Sequence, residues 1–322
     1  MDDGRDHGRV TLLLTRRALN AVLDPAACAD ALREGFRDAP HTSVQGQRVR
    51  TDLPFPGTAT ALIPGLLPGI DAYTVKVNAK FPGARPALRG VICLHSGRDG
   101  ELLALLDSAT LTAWRTGTAA ALGTHLLARQ GDMAVLGVVG AGAQAEATVR
   151  ALDALRGRRD LVVHDADPGR AAEFAARHGG RAPASATEVA AVADTVVLAT
   201  WSRRPLPAAA DTRAGMHLTS LGSDEPGKRE PAADLLGTAL LVVDDRELAA
   251  LTGAPATAGL PATAVDATLG EILTGAHPGR THPSDITVYA PVGLPWQDLA
   301  LAWQAYERAE RSGTGQRVDL LG

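Results

Sequence analysis

The chain is poor in sulfur, in aromatic rings and in excess charge, and each shortage closes off a class of function. Two cysteines, Cys28 and Cys93, in 322 residues are too few and too far apart for a disulfide framework or a cysteine metal site. The histidines His41, His95, His125, His217, His277 and His282 show no metal-ligand spacing, so no metal is expected. Each of them is read as a surface or an internally satisfied histidine. Aromatic residues make up 3%, which leaves Leu, Val and Ala to build the core. A formal net charge of −4 offers no basic surplus for nucleic acid or for a membrane surface. No apolar run approaches the length of a membrane span. The opening residues, MDDGRDHGRV, lack the apolar segment of a signal peptide, and a reducing cytoplasm is the expected location.

What remains is a soluble, globular composition, 45% hydrophobic and 21% charged, long enough for one large domain or two ordinary ones. Residues 11–14 read as a strand, and Asp24-Pro25 opens a helix to about Arg37. Between 46 and 106, short alternating runs broken by Gly and Pro predict strands at 47–53, 58–63, 72–81, 90–95 and 102–107. With no helices between them, these imply an antiparallel sheet. A long helix is expected over 112–129. Strands at 134–139, 161–164, 194–199, 216–221 and 239–243 then alternate with helices at 143–155 and 168–178, the pattern of a parallel, doubly wound sheet. A last strand at 285–290 and a closing helix over 297–311 precede a Gly-rich tail. The fold class expected is α/β: a Rossmann-type dinucleotide-binding domain at 113–296, inserted into a discontinuous α+β domain for substrate binding and dimerisation, built from 1–112 and 297–322.

The strongest single signal is residues 135–149, VLGVVGAGAQAEATV. An apolar strand runs into a G-x-G-x-x-A turn and then a helix. Gly140 permits the tight turn, Gly142 lets the backbone approach a pyrophosphate, and Ala145 lets helix and strand pack closely. The helix N-terminus offers free N–H groups and a positive dipole end to phosphates. Twenty residues on, the run Leu161–His164 ends at Asp165, placed to bond the ribose hydroxyls of NAD. Ala166 stands where an NADP enzyme often carries Arg. Asp165 could instead cap the helix that opens at Pro168.

Outside this turn the signals are weaker. In strand 72–81 Thr74, Lys76, Asn78 and Lys80 share a face. That face is either solvated, the reading the alternation favours, or a cleft in which Lys76 grips a carboxylate. Arg115, near the start of the expected 112–129 helix, gains nothing from the helix dipole, so it is either an exposed arginine or the partner of an anion. Asp224 follows a strand at the carboxyl edge of the nucleotide domain, where it could move protons or merely shape the turn before Pro226.

Taken together, the strings QR at 47–48, YTVKV at 73–77, LLALLDSATLTAWRTGTAAALGTHLLA at 102–128, GVVGAGAQA at 137–145, ADTVVLAT at 193–200, LGSDEPGKRE at 221–230 and DITVYAPVGLPWQDLALAWQAYERA at 285–309 resemble the ornithine cyclodeaminase / mu-crystallin family. The resemblance runs from about Gln47 to Gly315. It implies hydride exchange between a nicotinamide and the α-carbon of an amino or imino acid. By that resemblance Arg48, Lys76 and Arg115 hold the substrate carboxylate, and Asp224 is the general acid/base. Ala143, Gln144, Asp165, Thr200, Gly222 and Lys228 contact the cofactor beside the glycine turn, and Val292 lines the substrate or nicotinamide pocket. A homodimer whose antiparallel sheets meet is also implied.

Two departures bear on the substrate. Ala61-Leu62-Ile63-Pro64 replaces the Glu and the Met-Pro pair of ornithine cyclodeaminases, and Pro291 replaces a serine of the late S-x-G string. Asp224 is present where the mu-crystallin branch usually lacks an aspartate. The resulting expectation is an NAD-dependent amino acid dehydrogenase or ketimine reductase, with NADP as the other cofactor choice. The alternatives are an ornithine- or lysine-cyclodeaminase-type ammonia lyase holding NAD tightly, and a non-catalytic nicotinamide-binding protein.

Overall fold

The computed structural model describes residues 10–38, 49–52, 59–81, 84, 86–131, 134–157, 160–223 and 227–320. The chain divides into two compact units, Met1–Arg115 with Pro295–Gly322, and Thr116–Leu294. In chain order the first stretch forms β1 (Val10–Leu14), α1 (Arg16–Val22), α2 (Pro25–Asp38), β2 (Val49–Asp52), β3 (Ala59–Gly65), β4 (Ala72–Lys80), β5 (Leu88–Ser96), β6 (Leu102–Asp107) and α3 (Ser108–Leu127). There follow β7 (Val135–Val139), α4 (Ala143–Arg156), β8 (Asp160–His164), α5 (Pro168–His178), α6 (Ala186–Val192), β9 (Thr195–Leu198) and β10 (His217–Ser220). The second unit continues with α7 (Ala233–Leu236), β11 (Leu240–Val243), α8 (Arg246–Thr252), α9 (Ala254–Thr257), β12 (Ala267–Thr268), α10 (Leu269–Thr274) and β13 (Thr287–Tyr289). The chain ends with α11 (Pro295–Ser312) and β14 (Gln316–Asp319).

The first unit holds a sheet of order β14-β1-β6-β5-β4-β3-β2. Strands β2 to β6 run antiparallel, as their close spacing predicts. At its far edge the sheet extends beyond those five strands. There β1 pairs parallel with β6, and the segment read as a Gly-rich tail forms β14, antiparallel to β1. The four residues of β14, QRVD, alternate too briefly to stand out from a polar tail.

The alternation in β4 is also inverted relative to the solvated-face reading. Thr74, Lys76 and Asn78 are 0%, 1% and 8% exposed, whereas Val77 on the opposite face is 41% exposed. The cause is α11, whose first turns, Pro295 to Ala302, are buried and packed against β3, β4 and β5. A helix that brings Gln297 and Asp298 to the sheet makes the polar face of β4 the inner one.

Helix α3 begins at Ser108 rather than Thr112. The Asp107 carboxylate accepts the Thr110 backbone N–H at 3.0 Å and the Thr110 hydroxyl, an N-cap placed at the last residue of a strand. This puts Arg115 two turns inside the helix, so the helix-dipole argument made for it does not apply.

The second unit is a parallel sheet of order β12-β11-β13-β10-β9-β7-β8. Its central strands are buried along their whole length, TVVL in β9 and HLTS in β10 among them, as expected of strands covered on both faces. The polar residues among them satisfy one another. Neutral His217 bridges the hydroxyls of Thr287 (2.8 Å) and Thr219 (2.9 Å), and Thr219 meets Thr124 of α3 at 2.7 Å. Burial, reinforced by the charges of Arg280 and Arg156, holds the His217 pKa well below the ordinary histidine value.

Candidate active site

The glycine turn lies where β7 hands over to α4. Gly140 has φ +97°, and a Cβ there would lie 2.4 Å from the Ala199 carbonyl oxygen, so both conformation and space demand glycine. Gly142 caps α4 with no side-chain hydrogen bond to the first-turn N–H groups. Ala143 is exposed and Gln144 half-buried, while Ala145 is fully buried between helix and sheet. A Cβ on Gly117 of α3 would lie 2.5 Å from Ala147, so α4 is also held tightly from its other side.

Asp165 stands just past the end of β8. One carboxylate oxygen accepts the Ala141 N–H at 2.8 Å and the other the Asp167 N–H at 2.9 Å. It is not the cap of α5. Asp167 fills that role, accepting from Gly169 and Arg170. A guanidinium does stand beside Asp165, although Ala166 does not supply it: Arg170 approaches to 3.9 Å and also reaches the Ala141 carbonyl at 3.4 Å. The cation that Ala166 lacks is delivered one turn later, by α5.

The carboxyl ends of β9 and β10 are joined by Glu230, which the sequence reading passed over. Its fully buried carboxylate accepts from the Thr200 N–H (2.6 Å), the Thr200 hydroxyl (2.8 Å), the Ser220 hydroxyl (2.8 Å) and the Gly222 N–H (2.7 Å). Burial pushes the Glu230 pKa up, and these four bonds oppose that rise. The Thr200 hydroxyl also accepts the Ser202 N–H at 3.1 Å, so it serves the loop. At Gly222 a Cβ would lie 2.3 Å from the Thr200 carbonyl oxygen. Lys228 lies 4.9 Å over the Trp201 ring. Asp244, also buried, accepts from the Val292 N–H (3.0 Å) and the Gly293 N–H (2.6 Å), which fixes Val292 at the carboxyl end of β13.

In the first unit, Lys76 and Arg115 come together. Lys76 Nζ lies 3.1 and 3.0 Å from the two oxygens of Asp298. Arg115 Nε lies 3.5 Å from the same carboxylate, and its Nη1 donates to Gln297 Oε1 at 3.3 Å. All four residues are buried. In the sequence Gln297 and Asp298 mark only the start of the closing helix. No local pattern tells that Asp298 faces a lysine 222 positions away. Arg48 and Asp224 lie outside the described residues.

The comparisons with known proteins give the family. The sequence pattern of the ornithine cyclodeaminase/mu-crystallin family matches residues 9–313. The chain belongs to that family. It is 29% identical to an alanine dehydrogenase of Archaeoglobus fulgidus, over 97% of this chain and 99% of that protein. It is 32% identical to a delta(1)-pyrroline-2-carboxylate reductase of Bacillus cereus, over 84% of this chain and 89% of that one. Among solved structures, an archaeal alanine dehydrogenase dimer with bound NAD superimposes with a TM-score of 0.87 at 28% identity, covering 97% of this chain and all of that one. The family thus carries the α/β architecture expected from the sequence, and no described helix is long and apolar enough to cross a membrane.

Proposed function

We propose that this family member is an NAD-dependent oxidoreductase that exchanges hydride at the α-carbon of a small L-amino acid or cyclic imino acid. One observation carries the reading: Lys76 and Arg115, both buried, converge on one carboxylate, Asp298, so two cations are held side by side. Two cations held together can receive an anion, and the carboxylate of an amino or imino acid supplies one. The relatives named above act on such acids, and one of them is a structure with NAD.

The nucleotide side fits the same reading. The uncapped first turn of α4 at Gly142, with exposed Ala143 and half-buried Gln144, suits a pyrophosphate. Asp165 keeps lone pairs for ribose hydroxyls. A nicotinamide cofactor, when bound, supplies the hydride acceptor or donor. Lys76 and Arg115 hold the carboxylate, with Arg48 as a third cation, and so orient the α-carbon. Asp224 takes the amine proton on oxidation and returns it on reduction. Val292 and Lys228 border the reacting centre. The domain roles follow: substrate binding and dimerisation at 1–112 with 297–322, and cofactor binding at 113–296.

A homodimer through the outer face of the first sheet belongs to this proposal. Val75, Val77, Ala79, Val91, Cys93, Leu103 and Leu105 leave that face apolar and at least partly exposed. Light scattering should give twice the chain mass, and Val77→Glu should lower it to one. A cytoplasmic location completes the reading.

The test is absorbance at 340 nm with panels of amino acids plus NAD and imino acids plus NADH. Net change in NADH is expected. Ammonia release without net change in NADH would replace the reading with cyclodeamination, and neither signal on any panel member would reject catalysis of this type.

A further inference from the structure

The parallel sheet has a topological switch point at β7, with β8 on one side and β9, then β10, on the other. In open α/β sheets a dinucleotide lies across the crevice outside the carboxyl ends of the strands at such a point. Asp165, just past the end of β8, marks the adenosine side. The nicotinamide half then falls to the side of β9 and β10. The residues just past those two strands are Ala199 with Thr200, and Leu221 with Gly222. The first pair lies against the glycine turn: a Cβ on Gly140 would stand 2.4 Å from the Ala199 carbonyl oxygen and 3.1 Å from Thr200 Cγ2.

Glu230 ties these two strand ends together. One carboxylate oxygen accepts the N–H and the hydroxyl of Thr200, the other the Ser220 hydroxyl and the Gly222 N–H, all at 2.6–2.8 Å. Four donors fill the four lone-pair sites of a carboxylate. Glu230 is anchored in turn by its own backbone, whose N–H donates to Ser223 Oγ at 3.2 Å and whose carbonyl accepts the Leu206 N–H at 2.8 Å. Little room is left, since a Cβ on Gly222 would lie 2.4 Å from Glu230 Oε1. The whole residue is buried, so it acts through Thr200 and Gly222 rather than by touching a ligand in the crevice.

We propose that Glu230 is a positioning residue of the cofactor site: by holding Thr200 and Gly222 at a fixed separation it sets the floor on which the nicotinamide half rests. The inference rests on the function proposed above. The adenosine half and the pyrophosphate are received elsewhere, by Asp165 and by the first turn of α4. A dinucleotide can therefore be held at one end and misplaced at the other, and this separates the role of Glu230 from general stability.

The variant is Glu230→Gln, which keeps the shape and turns an amide NH2 toward two of the four donors. The probes are NADH and ADP, titrated by calorimetry into the full-length chain. ADP carries the adenosine ribose and the pyrophosphate and lacks the nicotinamide riboside. In Glu230→Gln, NADH should bind about tenfold more weakly, while ADP stays within about threefold of wild type. Ser220→Ala removes one donor of the four and leaves the carboxylate, and it serves where Glu230→Gln does not fold. It should weaken NADH by about threefold and leave ADP unchanged.

A merely structural Glu230 predicts a lower melting temperature with NADH and ADP weakened alike, or with neither weakened. NADH weakened no more than ADP, in Glu230→Gln or in Ser220→Ala where the first does not fold, overturns this inference alone. So does wild type that binds NADH and not ADP, because the adenosine half is then not held independently. Wild type that binds neither NADH nor NADPH overturns the proposed function, and this inference with it.

Discussion

Lys76→Met separates the two readings of the β4 polar face by energy. Methionine keeps the stem and removes the ammonium. In the structure this strips Asp298, at 2% exposure, of the partner that engages both its oxygens, and leaves Arg115 at 3.5 Å as the remaining cation. Breaking a buried pair by removing one partner costs about 3–5 kcal/mol, and with Arg115 retained a smaller cost, roughly 2–3 kcal/mol, is expected. For units of this size that corresponds to a fall in melting temperature of about 4–12 °C. Function suffers separately. The ammonium that would bind the substrate carboxylate is gone, and loss of a charge-assisted contact of about 2 kcal/mol lowers kcat/KM by about thirtyfold or more. Circular dichroism melts and the 340 nm assay on the same preparations measure both. If Lys76 were a solvated side chain, the substitution would change stability by less than about 0.5 kcal/mol. A variant that melts with wild type and turns over substrate at near-normal kcat/KM refutes the buried receptor.

Three further outcomes are expected. Asp224→Asn should lower kcat by about 10²–10⁴-fold with little change in NAD affinity, and a loss below about threefold would reduce Asp224 to a turn former. Wild type should bind NADH in preference to NADPH, because Asp165 repels a 2′-phosphate. Asp165→Ser alone should reverse this, since Arg170 already stands 3.9 Å from that carboxylate. Tighter NADPH than NADH binding by wild type in a fluorescence titration contradicts the assignment. The lowered His217 pKa means that below about pH 6.5 the unfolded chain binds a proton the folded chain refuses, so this residue makes stability fall as pH drops, by up to about 1.4 kcal/mol per unit. Urea unfolding between pH 7.5 and 5.5 should show a smaller slope in His217→Gln than in wild type, and identical slopes would count against a neutral buried imidazole.

Much was written locally. The glycine turn could be read because Gly140 and Gly142 answer to backbone geometry within a few residues, and the β–α alternation because buried parallel strands are apolar throughout. Short helices were missed although their signals were present: Ser185 and Glu188 mark the start of α6, and Thr268 with Glu271 forms the capping box of α10. Lys76 and Arg115 were also singled out as candidates from the chain alone. Their environment was not, since β4 carries polar residues on one face and apolar residues on the other, and alternation states only that the faces differ. Which face is inside was decided by α11, a helix more than 200 positions away that brings an aspartate to Lys76 and a glutamine to Arg115. In the same way Glu230 gathers Thr200, Ser220 and Gly222, and Asp244 fixes Val292. A carboxylate's partners are set by where distant elements pack, and pairing across such separations leaves no periodicity in the sequence. The sequence therefore determined the elements and the candidate chemistry, while tertiary packing decided which charges are buried and what they face.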